Sequence, residues 1–157
     1  MKIELIVIGK TASRYLQEGI DNYVKRIGHY VPFSVTHLPD VKASKSLTEE
    51  RQKDMEGEML LATLQPGDFL VLLDERGKEF TSREFAAFID KKMVTVAKRL
   101  IFLVGGPYGF SKAVYNRADD KISLSKMTFS HEMVRLFFTE QLYRAMTILR
   151  GEPYHHD

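Results

Sequence analysis

"RLIFLVGGPYGFS", residues 99–111, is the stretch from which the rest of the chain is read. Its first half is a continuous apolar run, as in a strand buried on both faces. The run stops at Gly105-Gly106-Pro107, where the proline fixes its own φ, removes an N–H and pushes residue 106 away from helical backbone. A rigid, exposed turn is expected there, with Gly105 and Gly109 leaving main chain bare enough for a flat ligand. On local chemistry alone, a plain strand-to-helix turn explains the same residues equally well.

Outward from this turn the chain alternates. Residues 2–8, 33–38, 68–74, 99–106 and 121–125 read as strands. Helical spacing fills the intervals. Residues 13–28 place Leu16, Ile20, Val24 and Ile27 on one face and end at Gly28. Residues 46–67 open with a Ser46-x-x-Glu49 capping box and close at Pro66-Gly67, and residues 81–93 open with a second box, Thr81 to Glu84. A short helix near 111–118 and a long one over 131–150 complete the order. Strands alternating with helices predict an α/β fold, a mostly parallel sheet with helices on both faces, in one domain spanning 1–157. Ligands in such sheets bind beyond the carboxyl ends of the strands, where the glycine turn lies.

Composition narrows the function classes. The chain has no cysteine, which excludes thiolate nucleophiles, cysteine-ligated zinc and iron–sulfur clusters, and suits a cytoplasmic protein. No apolar run reaches transmembrane length, and the amino terminus lacks a signal-peptide cleavage pattern. A formal net charge of +2 only mildly favours an anionic partner, so a nucleic-acid surface has to be made by folding or by pairing two chains. Neither G-x-G-x-x-G after a strand nor a P-loop occurs, which argues against dinucleotide and nucleotide triphosphate sites. Adjacent histidines at 155 and 156 project differently, and no metal site is expected.

The last third carries the second irregular region. In "SLSKMTFSHEMVRLFFTEQLYRAMTILRGEPYHHD", residues 123–157, the long helix has Val134, Phe137, Phe138, Leu142, Ala145, Ile148 and Leu149 on one face. Met133, Leu136, Tyr143 and Met146 occupy its other flank, leaving little polar surface. A helix apolar nearly all round is buried on two sides, and a second copy of the chain is the simplest second cover.

"LVGGPYG", "SLSKMTFSHEMVRLFFTEQLYRA" and the terminal "PYHHD", in this order, closely resemble the RlmH family of the SPOUT superfamily, which methylates N3 of a pseudouridine in bacterial 23S large-subunit ribosomal RNA. The likeness extends through "LDERGKEFTSREFA" and over essentially the whole chain. It implies a C-terminal trefoil knot that holds S-adenosylmethionine, a homodimer formed through the knot region, and a substrate presented on the assembled ribosome. Carried over by motif, the cofactor contacts are Leu73, Gly105 and the run Leu124, Ser125, Lys126, Met127, Thr128 and Phe129.

Methyl transfer to an imide nitrogen requires alignment and loss of the nitrogen's proton. An imidazole titrates near neutrality, so His155 is the candidate proton acceptor; Tyr154 is the candidate to stack on or hydrogen-bond to the base. Arg144 and Arg135 are candidates to steady RNA phosphate or bridge the dimer, and Glu140 is expected to pair with Arg144 one turn away. Where the family usually has a basic residue after "PYH", this chain has His156 and Asp157. Two rivals stay open from the sequence: a methyltransferase acting on another RNA position, and a non-catalytic dimeric module that keeps the cofactor pocket.

Overall fold

The computed structural model describes residues 1–42 and 44–157. Five strands, β1 (Lys2–Ile8), β2 (Phe33–Leu38), β3 (Phe69–Glu79), β4 (Arg99–Val104) and β5 (Asp120–Ser123), form one parallel sheet in the order β2-β1-β4-β3-β5. Period-two alternation sends their side chains to two cores. Ile3, Leu5, Val7, Leu100, Phe102 and Val104 face α1 (Arg14–Ile27), α3 (Ser82–Thr95) and α5 (Met133–Leu149). Ile6, Ile8, Leu70, Leu72, Ile101 and Leu103 face α2 (Glu49–Thr63) and α4 (Lys112–Arg117). The parallel sheet with helices on both faces, expected from the alternation, is therefore observed.

Boundaries differ where side-chain chemistry competes. The capping box at Thr81–Glu84 is present in both its bonds. That at Ser46–Glu49 is not: Thr48 caps α2 by accepting the Arg51 N–H at 3.0 Å, while Ser46 pairs with Ser44 at 3.1 Å. Thr48 has extended backbone and a hydroxyl three residues before a free N–H, so it satisfies the orphan donor and the helix starts later. Strand β3 runs five residues past its expected end at 74, and the reason concerns the site. Leu73 and Lys78 both register with Ile122 of β5, so the chain turns aside at Asp74–Gly77 and rejoins. A Cβ on Gly77 would stand 2.6 Å from Ile122 N and 2.7 Å from the carbonyl carbons of Ile122 and Lys121. Gly77 thus lies directly on the main chain of β5.

At the opposite, amino end of the sheet, Arg99 grips Asp68 with two hydrogen bonds, at 3.0 and 2.6 Å, and Glu4 with one at 2.8 Å. Burial raises the Asp68 carboxyl's pKa, but the bonds from Arg99 and from the Gln65 N–H outweigh it and hold the group below its usual value. A depressed folded-state pKa means that this stabilisation is full above the ordinary carboxylate range, about 4, and is lost as pH falls through the folded value. Urea unfolding at pH 7 and pH 3 is expected to show that loss, with a shallower decline in Asp68→Asn; equal declines would remove Asp68 from the acid response.

Candidate active site at the carboxyl ends of β3, β4 and β5

Three connections converge beyond the strand ends: Asp74–Gly77, Gly105–Phe110 and Leu124–His131. Between them lies a cleft of about 790 Å3, within the range that encloses a drug-sized ligand. Leu73, Val104, Leu124 and Val134 are aliphatic residues of its lining, and the two later loops make up most of the rest.

Each loop is held by its own sequence. Gly106 and Gly109 form an antiparallel bridge, with the Gly109 N–H donating to the Gly106 carbonyl at 3.1 Å around Pro107-Tyr108. Gly109 takes φ +87°, a left-handed value that favours glycine. This is the turn that Pro107 predicted. The bareness of Gly105 has a second cause: a Cβ there would meet the Phe110 ring at 3.0 Å, so the loop sits against its own aromatic on that side. In the last loop, Ser123 Oγ donates to the Ser125 carbonyl at 2.8 Å and the Met127 N–H donates to Ser125 Oγ at 3.0 Å. Two serines thereby set the path of 123–127.

The structure brings Leu73, Gly105, Leu124, Ser125, Met127, Thr128 and Phe129 together on the cleft wall. Lys126 is apart from them, its side chain in solvent with the nearest carboxylate, Glu79, at 3.8 Å. Sequence reasoning missed Glu49 and Lys53 of α2, Tyr115 and the wall position of His131. Glu49 and Lys53 stand four apart on one helix face, a spacing that was legible, but nothing local says which loop that face meets.

The remaining candidates gather elsewhere. Arg144, Tyr154 and His155 cluster near the far end of α5, and none lines the cleft. Arg144 lies ten residues beyond Val134, about 15 Å along the helix. It donates to Glu140 Oε1 at 2.5 Å, as expected from the i,i+4 spacing, and stacks its guanidinium 4.9 Å from the Tyr154 ring centre. Arg144 Nη1 lies 3.2 Å from His155 Nδ1. A guanidinium only donates, so Nδ1 accepts and the imidazole proton sits on Nε2, which donates to Asp157 Oδ1 at 2.6 Å. Burial pushes the Tyr154 phenol well above its usual value, and its bonds with Tyr23 and Glu140 push it further. Tyr154 is therefore a neutral donor and a stacking surface, not a base.

Arg135 corrects an expectation. It is 1% exposed and donates to the carbonyls of Ile8 at 2.7 Å, Gly9 at 3.0 Å and His131 at 3.1 Å, and to Thr11 at 3.0 Å. It cannot reach RNA or a second chain, because it closes the carboxyl end of β1 onto the start of α5. Glu132 completes that joint, accepting from the N–H groups of Ala12 and Ser13 at 2.6 and 3.2 Å.

Residues 1–155 match the family described as "Predicted SPOUT methyltransferase". The chain belongs to the SPOUT methyltransferase family. It is 63% identical over 157 residues, all of both chains, to a Parabacteroides distasonis protein named ribosomal RNA large subunit methyltransferase H. Proteins of the same name from Porphyromonas gingivalis and Bacteroides fragilis are 57% and 55% identical, again over all of both chains. Family membership implies the knotted fold. No helix among the described residues is long and apolar enough to cross a membrane, and no group of three or more His, Asp or Glu gathers there as a metal site.

Proposed function

We propose that this chain is a cytoplasmic, S-adenosylmethionine-dependent methyltransferase that acts as a homodimer on N3 of a pseudouridine in 23S ribosomal RNA, on the assembled ribosome. The observation that carries this reading is the cleft lined by the glycine turn and the 124–131 loop, at the strand ends of a family member so similar to relatives named for ribosomal RNA. S-adenosylmethionine supplies, when bound, an electrophilic methyl group on a sulfonium that departs as a neutral thioether.

The chain's own residues do the rest. Leu73 and Leu124 offer the apolar slot for adenine, and the peptide groups of Gly105 and of residues 125–129 its hydrogen-bonding edge. An imide nitrogen attacks as its anion, so its proton must leave before or during transfer. Neutral His155 takes that proton on Nδ1 once Arg144 releases it, with Nε2–H still donating to Asp157, and Arg144 steadies the negative charge. Tyr154 holds the base by stacking.

Because the tail cluster and the cleft are separated within one chain, a second subunit supplies the tail. Exposed apolar groups at the cleft and on α5, Met127 at 77%, Phe137 at 39% and Leu149 at 37%, suit such a contact. The last residue of the tail is tied to its own α3 by an Arg83–Asp157 pair with both side chains about 60% exposed, a contact worth at most about 1 kcal/mol, so docking can redirect that end while Tyr154 and His155 stay on their own α5. A low net charge predicts poor binding of isolated RNA and better use of a preformed ribosomal surface.

The test is methyl transfer from labelled S-adenosylmethionine to ribosomes, separated subunits and deproteinised RNA, with mass spectrometry of the nucleosides. N3-methylpseudouridine formed chiefly on ribosomes is expected. A methyl on a ribose oxygen or another base would reassign the target, and cofactor binding without transfer would favour a binding module.

A further inference from the structure

Glu56 lies on the α2 face that backs the glycine turn, and the chemistry above gives it no role. It is 6% exposed, and its Oε1 has no hydrogen-bond partner among the described residues. A buried carboxylate oxygen without a donor is among the costlier groups a fold can retain. Burial raises the pKa of its carboxyl, opposed by a bond from Gln52 one turn earlier.

The group is also fixed in place. A Cβ on neighbouring Gly57 would stand 2.4 Å from Ser111 Oγ, so α2 is already as close to the start of α4 as it can be. A Cβ on Gly106 would stand 2.4 Å from Glu56 Oε2 and 2.6 Å from Oε1. Gly106 also lines the main cleft. The space around Glu56 itself, about 10 Å3, holds no more than a single water. The Gly105–Gly106 segment thus borders both the space around a buried carboxylate and the ligand cleft.

We propose that Glu56 is a buried counter-charge which, acting through the Gly105–Gly106 main chain, biases the cleft toward a cationic sulfonium cofactor over its neutral thioether product. This rests on the reading of the cleft as an S-adenosylmethionine site. The cofactor carries a sulfonium, an ammonium and a carboxylate, net +1; methyl transfer removes the sulfonium charge and leaves the product neutral. A charge beneath the loop, away from bulk water, distinguishes these two ligands, while hydrogen bonds to adenine and ribose do not.

The cleft wall also carries Glu49, Lys53, Asp74, Glu75 and Arg76, all of which stay constant when Glu56 alone is varied. Lys53, three residues before Glu56, is paired with Glu50 at 3.1 Å. Asp40 adds a second anion to the surroundings of Glu56 and also offsets Arg135.

Calorimetry on the full-length protein tests the idea, with S-adenosylmethionine, S-adenosylhomocysteine and the analogue bearing an amine in place of the sulfonium. Glu56→Gln is expected to shift the ratio of the two dissociation constants about tenfold toward the product, 1.4 kcal/mol, by weakening the sulfonium ligand alone. The unliganded melting temperature should not fall, and Glu56→Asp should retain most of the bias. An unchanged ratio, or equal weakening of both ligands, overturns the proposal. If Glu56→Gln fails to fold, wild type decides: the amine analogue must bind like the sulfonium, and binding like the thioether refutes the counter-charge. Failure of wild type to bind any of the three ligands would instead refute the cofactor reading, and this inference with it.

Discussion

A mixed dimer with one subunit carrying His155→Ala and the other Thr128→Trp is expected to regain about half of wild-type methyl transfer, because in the proposed homodimer each of two sites takes its cleft from one chain and its tail from the other. Alone, each variant is expected to be nearly inactive: loss of the proposed general base would cost about a hundredfold or more, and a tryptophan on the cleft wall would occupy the space proposed for the ligand. Thr128 is exposed, so its enlargement does not invade the core. The expectation comes from the placement of the two halves of the site. The cleft gathers at Leu73, Gly105 and Leu124–Phe129, while His155 is bound to Arg144 and Asp157 beyond the far end of the same helix. In the mixed dimer one site combines an intact cleft with an intact partner tail, and the other is doubly damaged. If each tail served its own cleft, every site would be broken and the mixture would stay inactive. Differentially tagged, co-purified dimers assayed on ribosomes distinguish the two outcomes.

Gly77→Ala destabilises the chain by about 3 kcal/mol, the upper part of the range for overpacking a tight contact. The atoms that its Cβ would meet are main chain of Lys121 and Ile122, all closer than 3 Å, and main chain inside a sheet has no rotamer to change. Either β5 moves or the Asp74–Gly77 turn does, and both carry walls of the cleft. For a chain of this length that loss corresponds to a fall in melting temperature of roughly 6–12 °C. Cofactor affinity is expected to fall with it, since Leu124–Phe129 continue directly from β5. A melting temperature within about 2 °C of wild type would show that the contact is looser than described.

Much of this architecture was legible before any coordinates. The order of strands and helices follows from period-two and period-3.6 spacing, because those periods report which side of each element is buried. Thr81 and Glu84 announced their helix start for the same local reason, and Pro107 announced its turn. The capping residue of α2 was misread because Ser46 satisfies the box pattern and Thr48, followed three places on by Arg51, does not, yet only the path of the chain decides which hydroxyl reaches a free N–H.

The site divides along the same line. Its glycine turn and its 124–129 loop were legible as motifs, through resemblance to a family, and the motif could not say that Lys126 turns outward while its neighbours line the cleft. Arg135 looked like a surface cation on a helix. Its burial against the carbonyls of Ile8 and Gly9 joins residues more than a hundred positions apart, and no local period encodes such a meeting. Glu56 was equally silent, one glutamate among several on an exposed-looking helix until Gly106 was found against it.

From the sequence alone came everything that depends on a residue and its neighbours within a turn or two: element type, order, fold class, family and the absence of cysteine chemistry. Only the folded chain decided where distant segments touch: Gly77 on β5, Glu56 beneath the glycine turn, and the tail held away from the cleft it is proposed to serve. Local spacing records burial, and contact between remote segments is set by the path of the chain through three dimensions.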